Sequence, residues 1–425
     1  MARIIIQGGR RLSGDFTPRG NKNGALPMLA ACVLTDEPVC LQNVPLIDDV
    51  CSMLELLADL GVAVDQHGHT VTLCAKGIRK RRLNPELCRK VRTSILLAGP
   101  MTARHGKVTI YPPGGDVIGR RRLDTHFDGL DQLGIRCRGG NSHQFSRQTL
   151  RGARVLLDEA SVTATENILM AAVLAEGETS IYNAACEPHV QDLCHLLNKM
   201  GAGIRGIGTN LLRVRGVATL HGTRHRIAPD YINAASYLAA AVLTDGHLTL
   251  NNCPREPFEI VQRHFSKMGV KFQWTGNDTL DVPSGQRLVI HNDFGAAIPK
   301  IEDGIWPAFP SDLMSVAIVL ATQARGTMLF FEKLFESRMY FVDRLIAMGA
   351  RIVQCDPHRV MVSGPARLHG THLASPDIRA GMALVLAALC AKGESIIDNA
   401  QMIDRGYEEV ERDLRRLGAE IERQP

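Results

Sequence analysis

The chain has 425 residues, of which 45% are apolar and 22% charged, and a formal net charge of +5. That length predicts two or three domains with ample core, and the ordinary composition excludes a disordered, collagen-like or coiled-coil protein. No apolar run approaches the roughly 18 residues of a transmembrane helix, and the charge is far from that of a nucleic-acid-binding protein. Binding of an anion would therefore need the arginines to be concentrated at one site.

The N-terminal sequence and the cysteines indicate the compartment. The first six residues are too quickly polar for a signal peptide. The eleven cysteines are odd in number, include no CxxC pair and lie mostly in apolar surroundings, where cysteine behaves as a small hydrophobe. We therefore expect a cytoplasmic protein in a reducing compartment, with no disulfide framework and no metal site.

A sequence motif recurs six times along the chain, about every 70 residues. In each copy an apolar helix ends in Met or Leu followed by glycine, and an alternating strand comes next. The six glycines are Gly61, Gly134, Gly201, Gly269, Gly349 and Gly418. A glycine in this position predicts a helix that is stopped by a residue in the left-handed conformation.

A second motif lies between successive copies of the first. It consists of an Ala-rich apolar helix, a turn and a short strand, as in residues 168–181 and 237–250. Six copies of each motif predict six αβ units. Alanines on most faces of the Ala-rich helices predict that these helices are buried on several sides. The units are too long for common solenoids and lack polar caps, so we expect two clusters of three.

Strand-like runs at residues 3–8 and 224–227 precede the first and the fourth unit. They predict that the chain starts in one domain, builds the other and then returns. The expected domains are a first three-unit domain at residues 22–229 and a second one formed by residues 1–21 and 230–425. The first domain would carry a mobile loop at residues 112–122.

Polar residues at helix starts are the first candidates for a site. Lys22 and Asn23 precede an apolar helix, and helix N-termini attract anions; a linker with an asparagine cap is the alternative. An aspartate at such a start, as at Asp377, is first of all an N-cap. An arginine there opposes the helix dipole, which indicates an anion that holds Arg379 and Arg405 in place.

The loop at residues 112–122 is the second candidate. It combines three glycines, the carboxylate of Asp116 and three successive arginines. That combination is typical of a lid that closes over phosphates and brings in an acid or a base, and a solvated basic surface loop is the alternative. The residues alone thus indicate anionic, phosphorylated ligands between two domains, and they leave the reaction open.

Over residues 4–422 these motifs resemble the enolpyruvyl transferases. The matching stretches are Asn21-Lys22-Asn23-Gly24-Ala25-Leu26-Pro27, Pro113-Gly114-Gly115, Ile118-Gly119, Asp124, His126, Phe309-Pro310-Ser311-Asp312 and Asp404-Arg405-Gly406-Tyr407-Glu408. The shikimate-phosphate branch usually has Asn-Ala-Gly-Thr before its arginine, where this chain has Lys90-Val91-Arg92. The resemblance therefore favours the branch whose acceptor is UDP-N-acetylglucosamine.

The resemblance implies an inside-out α/β barrel of two domains, built from six αβ units, three per domain, with the ligands in the cleft between them. It implies transfer of the enolpyruvyl group of phosphoenolpyruvate to the sugar 3-hydroxyl of UDP-N-acetylglucosamine, with release of phosphate, as the first committed step towards peptidoglycan precursors. These two small molecules are the implied partners, and no nucleic acid, membrane, metal or cofactor is implied. Two alternatives stay open: an enolpyruvyl transferase acting on another nucleotide hydroxyl, and a non-catalytic paralogue that binds nucleotide sugar.

Roles for individual residues also follow from the resemblance. Asp116 and Asp312 supply the acid and the base that proton transfer to the methylene and from the hydroxyl requires, and Lys22 contacts phosphoenolpyruvate. The implied substrate-binding residues are Lys22, Asn23, Arg92, Arg121, Arg122, Leu123, Asp124, Thr125, Ser161, Val162, Asp312, Leu334, Asp377, Arg379 and Arg405.

The chain departs from the family pattern at three positions. Asp116 stands where most members carry cysteine, Arg122 stands where they carry proline, and Tyr231 stands where relatives often have arginine. The first departure concerns the proposed acid itself, and the other two concern the nucleotide contacts and the crossing between domains.

Asp116 leads to a testable prediction. Fosfomycin inactivates family members by alkylating the loop cysteine, and a carboxylate is a far poorer nucleophile towards that epoxide than a thiolate. We expect the wild-type protein to resist covalent inactivation, and Asp116→Cys to show time-dependent inactivation with an adduct visible by mass spectrometry. Alkylation of the wild-type loop, or full activity of Asp116→Asn, would contradict this role.

Overall fold

The computed structural model describes residues 2–115, 119 and 122–425. Two residues of the predicted site, Asp116 and Arg121, lie outside this description. The described chain divides into two compact units. The split unit comprises residues 2–19 and 229–425, and the central unit comprises residues 20–115 and 122–228.

The strands, in chain order, are β1 Arg3–Gln7, β2 Ser13–Phe16, β3 Val39–Gln42, β4 Ala63–His67, β5 Thr70–Cys74, β6 Lys107–Ile110, β7 Ile135–Arg138, β8 His143–Arg147, β9 Arg154–Leu156, β10 Glu178–Tyr182, β11 Gly203–Arg205, β12 Leu211–Arg215, β13 Arg224–Arg226, β14 His247–Leu250, β15 Gln273–Trp274, β16 Leu280–Val282, β17 Lys300–Glu302, β18 Gly326–Phe331, β19 Arg351–Gln354, β20 Arg359–Gly364, β21 His372–Ala374, β22 Glu394–Asp398 and β23 Glu420–Gln424.

The α-helices are α1 Lys22–Ala31, α2 Asp48–Leu60, α3 Pro85–Lys90, α4 Ala98–His105, α5 Asp124–Gln132, α6 Val162–Ala172, α7 Pro188–Lys199, α8 Tyr231–Leu243, α9 Arg255–Phe265, α10 Met314–Gln323, α11 Val342–Ala347, α12 Ile378–Cys390, α13 Gln401–Asp404 and α14 Val410–Arg416. Short 3₁₀ helices include Arg92–Leu97, Ser311–Leu313 and Arg338–Phe341. In the described part of the chain, no helix combines the length and the apolar character needed to cross a lipid bilayer.

Each unit contains three small sheets, which confirms the predicted fold of six αβ units, three per domain. The sheets of the central unit have the strand orders β13-β3-β5-β4, β6-β8-β7 and β11-β12-β10-β9. Those of the split unit have the orders β21-β22-β1-β23, β15-β16-β14-β2 and β17-β18-β20-β19.

The predicted all-round burial of the Ala-rich helices is also confirmed. In the split unit, α8, α10 and α12 contact one another, and nearly every residue of each is buried. The central unit buries α1, α4 and α6 in the same way. A helix that is apolar on all sides is stable only when neighbours cover it completely, so these helices form the core and the sheets cover them.

All six repeat glycines have positive φ, between 82° and 104°. Each of them lies between a helix and the strand that follows it in the same repeat; for Gly418 these are α14 and β23. A side chain is strained in this conformation, which is why glycine recurs at each of these helix ends.

A close contact between the backbones of α4 and α6 offers a test of this packing. A Cβ added to Gly99 in α4 would lie 2.2 Å from the backbone oxygen of Asn167 in α6. We expect Gly99→Ala to lower the free energy of unfolding by about 1–3 kcal/mol, because the two backbones must move apart. Urea denaturation would measure it. Gly139→Ala, where nothing lies within 4 Å of the added Cβ, is the matched control and should be close to neutral.

Candidate active site

Lys22 is the first residue of α1 in the central unit, and its charge is balanced there. The side chain of Asn21 caps the helix by accepting a hydrogen bond from the Gly24 amide at 3.1 Å. Lys22 Nζ lies 2.8 Å from Asp49 Oδ2, and the two side chains are only 10% and 8% exposed. Asp49 lies in the first turn of α2, where the helix dipole favours a carboxylate. The ion pair keeps a charged lysine in a buried position, beside the half-buried Asn23.

Arg92 begins a 3₁₀ helix, and its charge acts on the neighbouring His126. Burial lowers the pKa of His126 to about 3, and the charge of Arg92 lowers it as well. Nδ1 of the neutral ring accepts a hydrogen bond from Asn167 Nδ2 at 3.0 Å, and its Nε2 is hydrogen-bonded to Thr163 Oγ1 at 3.1 Å. A neutral His126 fixes the packing of α5 on α6 without adding a charge beside Arg92.

The predicted nucleotide contacts at residues 122–125 lie beside the loop that leads into α6. Arg122 Nε donates to Asp124 Oδ2 at 2.7 Å, and both side chains are about half exposed. Thr125 Oγ1 donates to Asp158 Oδ1 at 2.7 Å. Ser161 caps α6 by accepting a hydrogen bond from the Ala164 amide at 3.4 Å. The predicted nucleotide contacts therefore include the N-terminus of one helix.

A cavity of about 310 Å³ opens beside Thr125. It is lined by Thr125, Asp128, Gly129, Asp131, Gln132, Leu156, Leu157 and Asp158. Three of these residues are aspartates, which repel anions. The cavity is therefore unsuited to the diphosphate of a nucleotide sugar.

In the split unit, the Asp312 carboxylate lies between two buried guanidiniums. Its Oδ1 is 3.0 Å from Arg338 Nη1 and its Oδ2 is 2.8 Å from Arg379 Nη2. The two arginine side chains are 9% and 7% exposed. Burial raises the pKa of Asp312, but the charges of Arg379 and Arg338 outweigh burial and hold the pKa well below its usual range. Asp312 is therefore ionised in this arrangement.

Arg379 is the second residue of α12. Asp377 caps this helix by accepting hydrogen bonds from the Arg379 and Ala380 amides at 2.8 and 2.9 Å. The guanidinium of Arg379 lies 5.5 Å from the ring centre of Tyr407. Among the described residues, Arg379 Nη1 and Arg338 Nε are buried without a hydrogen-bond acceptor. Buried donors of this kind require an explanation, and an anionic ligand would provide one.

Arg405 does not lie at a helix start, and that prediction is wrong. It follows the last residue of the four-residue helix α13, and α14 begins only at Val410. The dipole at a helix C-terminus favours a cation, so the position of Arg405 gives no argument for an anion. For Arg379 the predicted helix start is confirmed, and Asp312 is an anion that holds it.

Leu334 is 48% exposed and follows β18 by three residues. Its amide donates to Asp303 Oδ2 at 3.4 Å, and the amide of Lys333 donates to Asp303 Oδ1 at 2.5 Å. The predicted nucleotide-sugar contact thus lies on a turn whose backbone is held by a buried carboxyl group.

Sequence reasoning missed three residues that organise these groups: Asp49, Asp303 and Glu332. The sequence does contain a signal for Asp49. Two successive aspartates stand at the start of α2, and a helix cap requires only one, so the second is available for another role. Asp303 and Glu332 had none, because each lies just after a strand and only the pairing of the strands brings them together. No group of three or more potential metal ligands occurs among the described residues.

The sequence and the fold define a class of transferase. The sequence profile of the EPSP synthase (3-phosphoshikimate 1-carboxyvinyltransferase) family matches residues 6–414. The chain belongs to this family, and the predicted resemblance to the enolpyruvyl transferases is confirmed.

Individual members of the family are similar to the chain over almost its whole length. The UDP-N-acetylglucosamine 1-carboxyvinyltransferase of Bradyrhizobium diazoefficiens is 53% identical over 422 residues, which cover 99% of this chain and 98% of that protein. The protein of the same name from Treponema denticola is 50% identical over 423 residues, 99% of each chain. The solved structure of the enolpyruvyl transferase NikO from Streptomyces tendae has a TM-score of 0.88 at 24% identity, covers 100% of this chain and 99% of its own, and shows the fold.

The charge balance around Asp312 is open to a stability test. Asp312→Asn leaves two buried guanidiniums with a neutral amide, and loss of one partner of a buried ion pair costs about 3–5 kcal/mol. We expect the free energy of unfolding, measured by urea denaturation near neutral pH, to fall by that order. The control is Asp343→Asn, an exposed carboxylate of the same unit, which should change stability by less than about 0.5 kcal/mol. Equal effects of the two variants would contradict the buried array.

Proposed function

We propose that the chain transfers the enolpyruvyl group of phosphoenolpyruvate to the 3-hydroxyl of UDP-N-acetylglucosamine and releases phosphate. The observation that carries the proposal is the identity of about half of all residues, from end to end, with proteins named for this activity. The sites agree with it, because each unit contains buried cations held at defined positions. Placement of the ligands between the two units stays a prediction, as do the individual binding roles.

The reaction makes distinct demands on its proton-transfer groups. The acceptor hydroxyl loses a proton as its oxygen bonds to C2 of phosphoenolpyruvate, and C3 gains one; loss of a C3 proton and of phosphate then restores the double bond. Asp312 is the proposed base. Asp116, which lies outside the described residues, is the proposed acid. Lys22, with Arg92, Arg121 and Arg405, would hold the phosphate and the carboxylate of the donor.

Asp312 is a weak base while both guanidiniums face it, because they hold its pKa low. In the proposed mechanism an anionic ligand draws Arg379 away from Asp312, and Arg379 Nη1 is already a buried donor without an acceptor among the described residues. The pKa of Asp312 then rises towards the range in which it accepts the hydroxyl proton. Arrival of the ligand would thus switch on the base.

The biological setting follows from the proposed reaction. We place the protein in the cytoplasm, at the first committed step towards peptidoglycan precursors, and hence in cell wall biogenesis, cell shape, the cell cycle and cell division. Resistance to fosfomycin is part of the same proposal and rests on Asp116.

Phosphate release from phosphoenolpyruvate tests the activity. It should require UDP-N-acetylglucosamine and should not occur with UMP in its place; release with UMP would favour another nucleotide acceptor. Lys22→Ala should abolish it, whereas Lys76→Ala, an exposed lysine of the same unit, should not.

Lys22→Ala also leaves Asp49 buried without its cation, which is destabilising in itself. The double variant Lys22→Met/Asp49→Leu removes both charges and separates the two effects. We expect it to fold, as judged by thermal unfolding, and to be inactive. Near-normal turnover of either Lys22 variant at saturating substrate would contradict the assignment.

A further inference from the structure

A chain of buried polar groups lies behind Asp312 in the split unit. It begins with two carboxyl groups, those of Asp303 and Glu332, which are 1% and 0% exposed. Asp303 follows β17 and Glu332 follows β18, two parallel neighbours in which Glu302 is opposite Phe331. Because parallel strands end at the same edge of a sheet, the residues that follow them meet there.

The hydrogen bonds run in one direction from Arg338 to Glu332. Arg338 Nη1 donates to Ser311 Oγ at 2.9 Å as well as to Asp312. The hydroxyl of Ser311 donates in turn to Glu332, with Oγ 2.7 and 2.8 Å from its two carboxyl oxygens. Ser311 is the residue before Asp312, so Glu332 anchors the backbone that carries the proposed base.

The other end of the chain is the contact between the two carboxyl groups. Glu332 is hydrogen-bonded to Asp303, and two carboxyl groups form such a bond only when they share a proton. Both oxygens of Asp303 already act as acceptors, Oδ1 for the amide of Lys333 and Oδ2 for the amide of Leu334. The proton therefore resides on Glu332, which donates it to Asp303.

The charged surroundings of Glu332 agree with this assignment. Its pKa is raised to about 9: burial is the largest cause, the hydrogen bond and the charge of Asp303 act in the same direction, and the charge of Arg338 and the hydrogen bond from Ser311 oppose them. Among the described residues packed around it, His358 faces only its backbone, with Nδ1 2.7 Å from the Glu332 carbonyl oxygen. Asp377 acts on Arg338 rather than on Glu332.

We propose that Glu332 is a positioning residue for the transfer reaction: protonated and bonded to Asp303, it fixes Ser311, Arg338 and hence Asp312. The proposal rests on the function proposed above. Through Asp303, the same pair holds the turn that carries Leu334, the predicted nucleotide-sugar contact. One shared proton thus connects the proposed base with a segment predicted to bind the acceptor.

Neutrality of Glu332 is what makes the arrangement useful. An ionised Glu332 would compete with Asp312 for the charge of Arg338, because Ser311 places both carboxyl groups around that guanidinium. A protonated Glu332 orients Ser311 by hydrogen bonding alone and leaves the charge of Arg338 to Asp312. The proposal therefore distinguishes a glutamic acid from a glutamate at this position.

Substitution at position 332 tests the role in activity. Glu332→Gln keeps a neutral donor to Asp303 and an acceptor for Ser311, so kcat and the KM for UDP-N-acetylglucosamine should stay close to wild type. Glu332→Ala removes both bonds; we expect kcat to fall by about 10²-fold, the cost of misplacing a reacting group by roughly 1 Å, and the KM for UDP-N-acetylglucosamine to rise. Glu302→Gln, a partly exposed carboxylate paired with Lys300 and Lys333, is the control and should be unaffected.

The shared proton has a second readout that needs no activity. The folded pKa of Glu332 lies above its unfolded value of 4.5, so the folded state binds a proton that the unfolded state lacks between about pH 5 and pH 9, and stability falls as pH rises through that window. Glu332→Gln carries no such proton. Its free energy of unfolding, relative to wild type, should therefore increase steadily from about pH 5 to pH 9, and that of Glu302→Gln should not.

The two readouts separate the possible failures. A Glu332→Gln variant as impaired as Glu332→Ala, or a stability difference that does not change with pH, would overturn the protonated pair even in an active enzyme. Near-normal kcat in a folded Glu332→Ala variant would overturn the positioning role. If the wild-type protein transferred no enolpyruvyl group, the proposed function would fail, and the stability measurement would still decide the state of Glu332.

Discussion

A buried charge must find a partner inside the protein, and this requirement fixes the local structure around Asp312. Three elements that are far apart in sequence meet at that carboxylate: the 3₁₀ helix before α10, the 3₁₀ helix that begins at Arg338, and the start of α12 at Arg379. The desolvation of two guanidiniums is tolerable only with good geometry and further hydrogen bonds. Ser311, Glu332 and Tyr407 supply those surroundings, so the position of the proposed base is set by electrostatics as much as by packing.

In the central unit, a buried charge is balanced by a simpler arrangement. There a single pair, Lys22 and Asp49, joins the starts of α1 and α2. The lysine opposes the dipole of its own helix, and the carboxylate agrees with that of the next helix. Such a pair is stable without a ligand and still presents a cation at a helix N-terminus, where an anion has amide donors as well.

Local signals in the sequence are sufficient to predict the architecture. The six glycines at helix ends and the Ala-rich helices report backbone conformation and burial directly, so the amino-acid pattern alone predicts six units. The site is less accessible to such reasoning. Asp377 can be recognised as a cap because capping is local, but the helix at Arg405 is misplaced because a four-residue helix leaves almost no periodic signal. Asp303 and Glu332 lie 29 positions apart, and their contact depends on strand pairing, which no local pattern encodes.

The strand order at the chain ends has a consequence for biosynthesis. β1, formed from the first residues of the chain, lies between β22 and β23, formed from its last. During translation the central unit is complete long before either partner of β1 has left the ribosome. The N-terminal strand must therefore remain unpaired, with its apolar face exposed, while the central unit folds, and closure of this sheet is delayed until β22 and β23 have been synthesised. Until then, β1 lies beside neither of the two strands that pair with it in the folded protein.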